Sequence, residues 1–374
     1  MKIGCVYVNA GKGHYIPAKA ISDELTALGT ETEMLDFFKI IDAPKFDALN
    51  QNIWRWELKF PKIEQALNAR ADKTSSAKKK LKAFASARYQ KNFSRWIENN
   101  HVDAFICTHY IPSLILSEFS HNLGLHIPVF AYSSDVFTTP ISGLSEHLEK
   151  FYISSEEGLT YVAATGFPQE KIALTSFPIQ SSCINARYMT KQEARNMLKI
   201  SDMFTLLINL GGEGIGTISV IEGLEKQGAE VQIMLVGGMN EKDKEKFTSL
   251  QNRCKTVKVI PVGFVNNIYQ YLYACDIVVG KAGINAMLEA MYLKRPFLVT
   301  TVYYTVKAAA DYFERHKIGW YAPKVDQQIR IISEYLQNPE LLKDTEQAFS
   351  KVPISFGAKA IAKDLIETLQ NKRI

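Results

Sequence analysis

The sequence predicts two doubly wound α/β domains facing a cleft, and three observations lead there. At 374 residues the chain exceeds what one hydrophobic core usually organises. Short β-rich runs alternate with helical stretches along both halves, the rhythm of parallel sheets with helical crossovers. In each half the first strand runs into a glycine-rich turn that opens a helix, the place where a Rossmann-like domain meets its ligand.

In the first half the strand runs are KIGCVYV, TEMLDF, DAFICT and IPVFAYS, with EKFYISS and KIALTSF as two further candidates. The polar stretch SSCINARYMTKQEARNMLKIS then reads as a linker near residues 180 to 200. A second series follows it: FTLLINL, VQIMLVG, TVKVIPV, DIVVG and PFLVTT, again with helices between. One domain is therefore expected over 1–185 and another over 200–350. A closing helix within 351–374 is placed to fold back over the linker.

Composition narrows the function classes. With 47% apolar and 22% charged residues the chain is of ordinary globular type. No run of about 18 apolar residues is present to cross a bilayer. The opening MKIGCVYVNAGKGH reads as a buried strand rather than a secretory leader, so a cytoplasmic protein is expected. Five cysteines, Cys5, Cys107, Cys183, Cys254 and Cys275, are scattered without CxxC or Cys/His spacing, which argues for buried thiols and no metal site.

The net charge of +5 is unevenly spread: between Arg55 and Arg95 stand twelve Lys or Arg against three acids, a local +9. Among those charges lie Ile53, Trp54, Trp56, Leu58, Phe60, Leu81, Phe84, Tyr89, Phe93 and Trp96. A basic segment with aromatics suits an anionic membrane surface, so 53–96 is the expected lipid contact. The same pattern arises from surface helices that pack their aromatics on the core. No second basic stripe or recognition motif points to nucleic acid.

Three turns carry chemistry. The first strand ends in Asn9-Ala10-Gly11-Lys12-Gly13-His14, and Pro17 favours a helix start just beyond. An imidazole at that strand tip can take a proton from a hydroxyl near neutral pH, or can serve as a helix cap. The second domain opens with Asn209-Leu210-Gly211-Gly212-Glu213-Gly214-Ile215-Gly216, whose glycines let a backbone close on a diphosphate at a helix N-terminus; a surface loop is the other reading. Later, Gly280-Lys281-Ala282-Gly283-Ile284-Asn285 leads to Glu289 inside the apolar run AMLEAMYL. A carboxylate in such surroundings wants a partner.

In this order, GKGHYIPAKAISDEL, SSDV, LGGEGIGTI and GKAGINAMLEAMYLKRPF resemble the monogalactosyldiacylglycerol synthases and processive diacylglycerol glucosyltransferases, relatives of the lipid-intermediate N-acetylglucosaminyltransferase of peptidoglycan synthesis. The resemblance covers roughly residues 3 to 325. It implies a GT-B fold whose first domain takes diacylglycerol and whose second takes a UDP-sugar, with inverting hexosyl transfer. No metal and no cofactor beyond the donor are implied, and the chain would sit peripherally on the inner face of the cell membrane. By the same resemblance His14 is the base or orienting group for the acceptor hydroxyl and Asp135 holds the acceptor or a catalytic partner. Gly211, Gly212, Glu213, Gly214 and Gly216 form the pyrophosphate loop, Gly263 and Phe264 border the uracil, and Gly283, Asn285 and Glu289 form the ribose and phosphate segment.

The chain also departs from that pattern. Tyr303-Tyr304-Thr305-Val306-Lys307-Ala308-Ala309 stands where those enzymes carry a PGQExGN-like stretch that holds sugar hydroxyls, and Lys12 replaces a glycine. Contacts from Tyr304 or Lys307 to a different sugar are one consequence. Three other readings remain at this stage: another lipid or small-molecule acceptor, a nucleotide-sugar epimerase of the same architecture, and a non-catalytic nucleotide-sugar or lipid-binding homologue.

Overall fold

The computed structural model describes residues 1–9, 11–72, 87–186, 188–210 and 216–372. The chain divides into two compact units: Met1–Ser181 with Tyr303–Ala308 and Pro353–Ile374, and Ser182–Val302 with Ala309–Val352.

Unit 1 runs β1 (Lys2–Tyr7), α1 (Tyr15–Ala27), β2 (Glu31–Asp36), α2 (Phe37–Ile40), α3 (Pro44–Lys59), α4 (Pro61–Asp72), α5 (Ala87–Asn99), β3 (Ala104–Cys107), α6 (Tyr110–Asn122), β4 (Val129–Tyr132), β5 (Lys150–Ile153), α7 (Glu156–Ala163) and β6 (Ile172–Leu174). Its sheet is parallel throughout in the order β2-β1-β3-β4-β5-β6. Every residue of β3 and β4 is buried, as expected of strands covered by helices on both faces, and this is why they read as unbroken apolar runs. The chain leaves β1 to one side for β2 and returns to its other side for β3. The ends of β1 and β3 therefore flank the switch point of the sheet, the usual place for a ligand.

The rest of the chain continues with α8 (Ser181–Ala186), α9 (Lys191–Leu198), β7 (Thr205–Asn209), α10 (Thr217–Lys226), β8 (Val231–Val236), α11 (Glu241–Arg253), β9 (Val257–Gly263), α12 (Ile268–Ala274), β10 (Ile277–Lys281), α13 (Ile284–Tyr292), β11 (Phe297–Thr301), α14 (Tyr304–Arg315), β12 (Gly319–Tyr321), α15 (Val325–Gln337), α16 (Glu340–Phe349) and α17 (Lys359–Asn371). The sheet of unit 2 is again parallel, in the order β12-β11-β10-β7-β8-β9. Its switch point lies between β7 and β10, where Asn209 pairs with Gly280. β12 has no counterpart among the expected strands.

The polar stretch expected as a linker instead holds α8 and α9. Thr190 and Glu193 cap α9 reciprocally, and the buried Arg195 ties the helix to the sheet. Its guanidinium donates to Asp276 Oδ2 at 2.9 Å and to the Ala274 carbonyl at 3.1 Å, while Asp276 also accepts the Thr205 N–H at 2.7 Å and the Lys191 ammonium at 2.6 Å. Asp276→Ala is expected to cost unit 2 about 3 kcal/mol or more, because it strands a buried cation and an orphaned N–H. Urea unfolding measures this as a lower midpoint. An unchanged midpoint would mean that Asp202, which also pairs with Arg195, is enough.

The C-terminal helix α17 packs in unit 1. Asp364 on it accepts the Lys150 ammonium at 2.8 and 2.9 Å and the Tyr152 hydroxyl at 2.6 Å. The segment before it is extended and bridges Phe356 to Phe177, so the helix begins later than its sequence suggests. The five thiols are free, and all but Cys254 are buried.

Candidate functional site

Each unit presents candidate residues at the C-terminal edge of its own sheet. In unit 1, His14 ends the turn after β1 and stands at the N-cap of α1 without making a side-chain cap. Its Nδ1 lies 2.8 Å from the Thr108 carbonyl, just past β3, and the Thr108 hydroxyl returns a bond to the His14 carbonyl at 2.7 Å. A carbonyl only accepts, so Nδ1 carries the proton and Nε2 keeps its lone pair, with no hydrogen bond among the described residues. Burial pushes the imidazole down to about 4, against the opposing pull of the Thr108 carbonyl. His14 is thus a neutral imidazole with one fixed tautomer, and it does not cap the helix.

Sequence reasoning missed the group beside it. The buried ring of His109 meets His14 edge-on, with centroids 4.4 Å apart, and stacks on Tyr110 at the same spacing. Its Nδ1 accepts the Ile111 N–H at 3.1 Å, so this imidazole also has one tautomer, and burial drives it well below the ordinary histidine range. Ser134 donates to the Thr108 carbonyl at 2.8 Å, holding the loop after β4 against the His14 anchor. His14, His109, Tyr110, Ser134 and Asp135 line one small cavity, with room for about one water (about 10 Å³). Asp135, expected from the SSDV stretch, therefore does reach the His14 site. A histidine directly after a buried strand, as in DAFICTH, was the available signal for His109.

The basic aromatic segment separates into parts with different fates. Phe93 of α5 is fully buried, 6.1 and 5.6 Å from the rings of Phe105 and Phe119, and Tyr89 and Trp96 pack on the same core. These three are not available to a membrane, which corrects the expectation for the α5 part of 53–96. Leu81, Phe84 and the lysines at 73, 78–80 and 82 lie outside the described residues. On the α3–α4 hairpin the opposite holds: Leu49, Ile53, Trp56 and Phe60 recur at helical spacing along α3, Ile63 and Leu67 along α4, and all are 41 to 55% exposed. Arg55, Lys59, Lys62 and Arg70 are exposed beside them.

The other face of that hairpin is seated on the site. A Cβ at Gly11, in the turn before His14, would lie 2.9 Å from the Trp54 ring, so only glycine lets Trp54 close on this turn. The Tyr303 hydroxyl donates to the Leu58 carbonyl at 3.2 Å, and buried Glu64 accepts the Tyr304 N–H at 2.8 Å. Residues 303–304 are thus held by α3 and α4.

In unit 2, Gly211, Gly212, Glu213 and Gly214 lie outside the described residues. Gly216 follows them as the N-cap of α10 with φ 77°, a left-handed conformation that glycine adopts without strain. α10 thereby starts at the tip of β7 and offers unpaired N–H groups toward the switch point. Gly283 caps α13 from the tip of β10, with Asn285 in its first turn. Gly263 closes β9, and Phe264 beyond it is 68% exposed. Glu289 lies one and a half turns into α13 and is buried, and its partner is a residue the sequence did not single out: the Tyr269 hydroxyl, 3.2 Å from Oε1. Burial pushes this carboxyl up to about 7, partly opposed by that hydrogen bond. Among the described residues no set of His, Cys, Asp and Glu is grouped to hold a metal ion, and among them no helix is long and apolar enough to cross a membrane.

Comparison with known proteins places this geometry. Residues 217–369 match the Glycosyltransferase family 28 C-terminal domain. The processive diacylglycerol beta-glucosyltransferase of Staphylococcus saprophyticus is 20% identical over 264 residues, 70% of this chain and 66% of that protein. The probable chloroplastic monogalactosyldiacylglycerol synthase of Glycine max is 28% identical over 213 residues, 51% of this chain and 39% of that protein. The chain thus spans less than two thirds of the length of these curated relatives. Among solved structures, MurG of Acinetobacter baumannii superposes with a TM-score of 0.66 at 12% identity, covering 99% of each chain. A UDP-GlcNAc 2-epimerase of Neisseria meningitidis, bound to UDP-GlcNAc, gives 0.63 at 14% identity over 99% of this chain and 100% of its own. These likenesses establish the fold, two Rossmann-like units of the GT-B type.

Proposed function

We propose, for a chain that carries a glycosyltransferase family 28 C-terminal domain, that it moves a hexose from a UDP-sugar to the hydroxyl of diacylglycerol at a membrane surface. The observation that supports this reading is the pairing, within unit 1, of a neutral imidazole with an exposed apolar surface. His14 keeps its Nε2 lone pair at the sheet's switch point, and the hairpin packed on its turn exposes an apolar stripe rimmed by arginine and lysine. The names of the relatives support the lipid acceptor, and the UDP-bound neighbours support the donor.

In this mechanism the acceptor oxygen attacks the anomeric carbon of the sugar while Nε2 of His14 takes the hydroxyl proton. The bond from that carbon to the UDP oxygen breaks, its electron pair leaves with UDP, and the anomeric configuration inverts. The Thr108 carbonyl stabilises the imidazolium through Nδ1–H, and Asp135 in the wall of the same cavity adds negative charge nearby. Gly216 and the N-termini of α10 and α13 supply N–H groups for the diphosphate, a role that requires no metal ion. Phe264 stacks on the uracil, and Glu289 accepts hydrogen bonds from the ribose. The protein would bind peripherally, at the inner face of the cell membrane.

The test is a transfer assay with the purified chain, diacylglycerol in anionic vesicles, and UDP-glucose, UDP-galactose and UDP-N-acetylglucosamine in turn, reading both UDP release and glycolipid. Glycolipid from one donor establishes the reaction and names the sugar. Conversion of the donor without transfer would replace this reading by an epimerase, a use for which the exposed stripe offers no reason.

A further inference from the structure

Within unit 2, the surroundings of Glu289 set burial, which favours the neutral carboxyl, against one hydrogen bond that favours the charged one. The residue is 7% exposed, and apolar neighbours on α13 enclose it. One polar group reaches it: the hydroxyl of Tyr269, which is 7% exposed and in the first turn of α12. A phenol in that position donates to a carboxylate, and it cannot do so as a phenolate; burial and the Glu289 charge both keep it protonated. Ser182 on α8 hydrogen-bonds the same phenol. The remaining titratable group facing Glu289 is the buried Cys183 thiol of α8, itself pushed up by burial. Among the described residues the hydrogen bond at Glu289 goes to Oε1, not Oε2.

We infer that Tyr269 is a positioning residue for the donor site, orienting Glu289 and holding it ionised so that the carboxylate can accept hydrogen bonds from the vicinal hydroxyls of a ribose. The inference rests on the donor reading given above for Glu289. Its physical basis is a balance: burial favours the neutral acid, and one hydrogen bond to the anion opposes it. With the carboxyl at about 7, the balance sits at neutral pH, and removing the hydroxyl tips it toward the acid. A protonated carboxyl loses an acceptor oxygen, so UDP affinity is linked to this ionisation.

The experiment is calorimetric titration of UDP into the full chain and its Tyr269→Phe variant between pH 5.5 and 9, with thermal unfolding as a check on folding. In the unaltered protein UDP affinity should fall as pH drops through about 7, approaching tenfold per pH unit. Tyr269→Phe should move that midpoint up by about one unit, so that UDP binds about fivefold weaker at pH 7 yet within about twofold at pH 9. In a Glu289→Gln background the pH dependence should vanish, and Tyr269→Phe should add nothing. An unmoved midpoint, or an equal loss at every pH, would overturn the inference, since a merely structural tyrosine gives one or the other. Pre-existing UDP binding without pH dependence would overturn it too. No UDP binding by the unaltered protein at any pH would instead overturn the donor reading itself.

Discussion

Replacing His14 by alanine should lower hexosyl transfer by about 10³-fold, within the range of a lost general base, and leave UDP affinity within about twofold. The split follows from location: His14 lies in unit 1 at the tip of β1, whereas the residues assigned to UDP lie in unit 2. The variant should fold, because the half-buried ring gives up one hydrogen bond to Thr108 and its contact with His109. The pH profile adds a second check. A base whose pKa burial has lowered to about 4 stays neutral throughout the usual assay range, so His14 does not create the acid limb of kcat/KM for the donor. Glu289, raised to about 7, does. The limb should therefore lie near pH 7 and weaken at saturating UDP-sugar. A limb near pH 4 would return that role to His14, and transfer that survives His14→Ala would remove the base from the mechanism.

The second large effect concerns the hairpin. Ile53→Ser, Trp56→Ser and Phe60→Ser combined should weaken binding to vesicles by about 10²-fold, taking roughly 1 kcal/mol for each apolar side chain that no longer inserts. All three are exposed, so folding should be unaffected. Charge reversal at Arg55, Lys59 and Lys62 should act differently, lowering affinity only for anionic vesicles and only at low salt, at about 1 kcal/mol per charge. Co-sedimentation with vesicles of both kinds separates these contributions. Unchanged sedimentation of the triple variant would mean the stripe is not where the protein meets lipid. Because Trp54 on the same helix closes on Gly11, loss of docking should also depress transfer from vesicles more than transfer to a short-chain, dispersed diacylglycerol.

Features governed by local sequence were readable before any coordinates. Eleven strand runs could be located and all eleven appear in the two sheets, most plainly β3, β4 and β8, which are buried on both faces and so are continuous apolar runs. The glycine turns before α1, α10 and α13 were readable because the backbone at a strand tip permits few residue types. His14 and Glu289 stood out for their positions relative to those turns. Local signals were also overlooked: Thr190 and Glu193 announce the start of α9, yet the polarity of the stretch suggested a linker. A helix with one buried arginine satisfied by Asp276 looks polar in sequence and is structural in space.

What the sequence alone determined was therefore the architecture, two parallel sheets each with its glycine turns, and the residue types available at the strand tips. Only the tertiary structure decided how those residues act. Thr108, ninety-four positions from His14, selects the imidazole tautomer, and Tyr269, twenty positions from Glu289, opposes the burial that would neutralise it. The basic aromatic segment needed the fold as well, since α5 turns Tyr89, Phe93 and Trp96 into the core while the α3–α4 hairpin exposes Ile53, Trp56, Phe60, Ile63 and Leu67. The physical reason is the same in each case. Backbone preference acts over a few neighbours, whereas protonation, orientation and exposure depend on groups that only packing brings within a few ångströms.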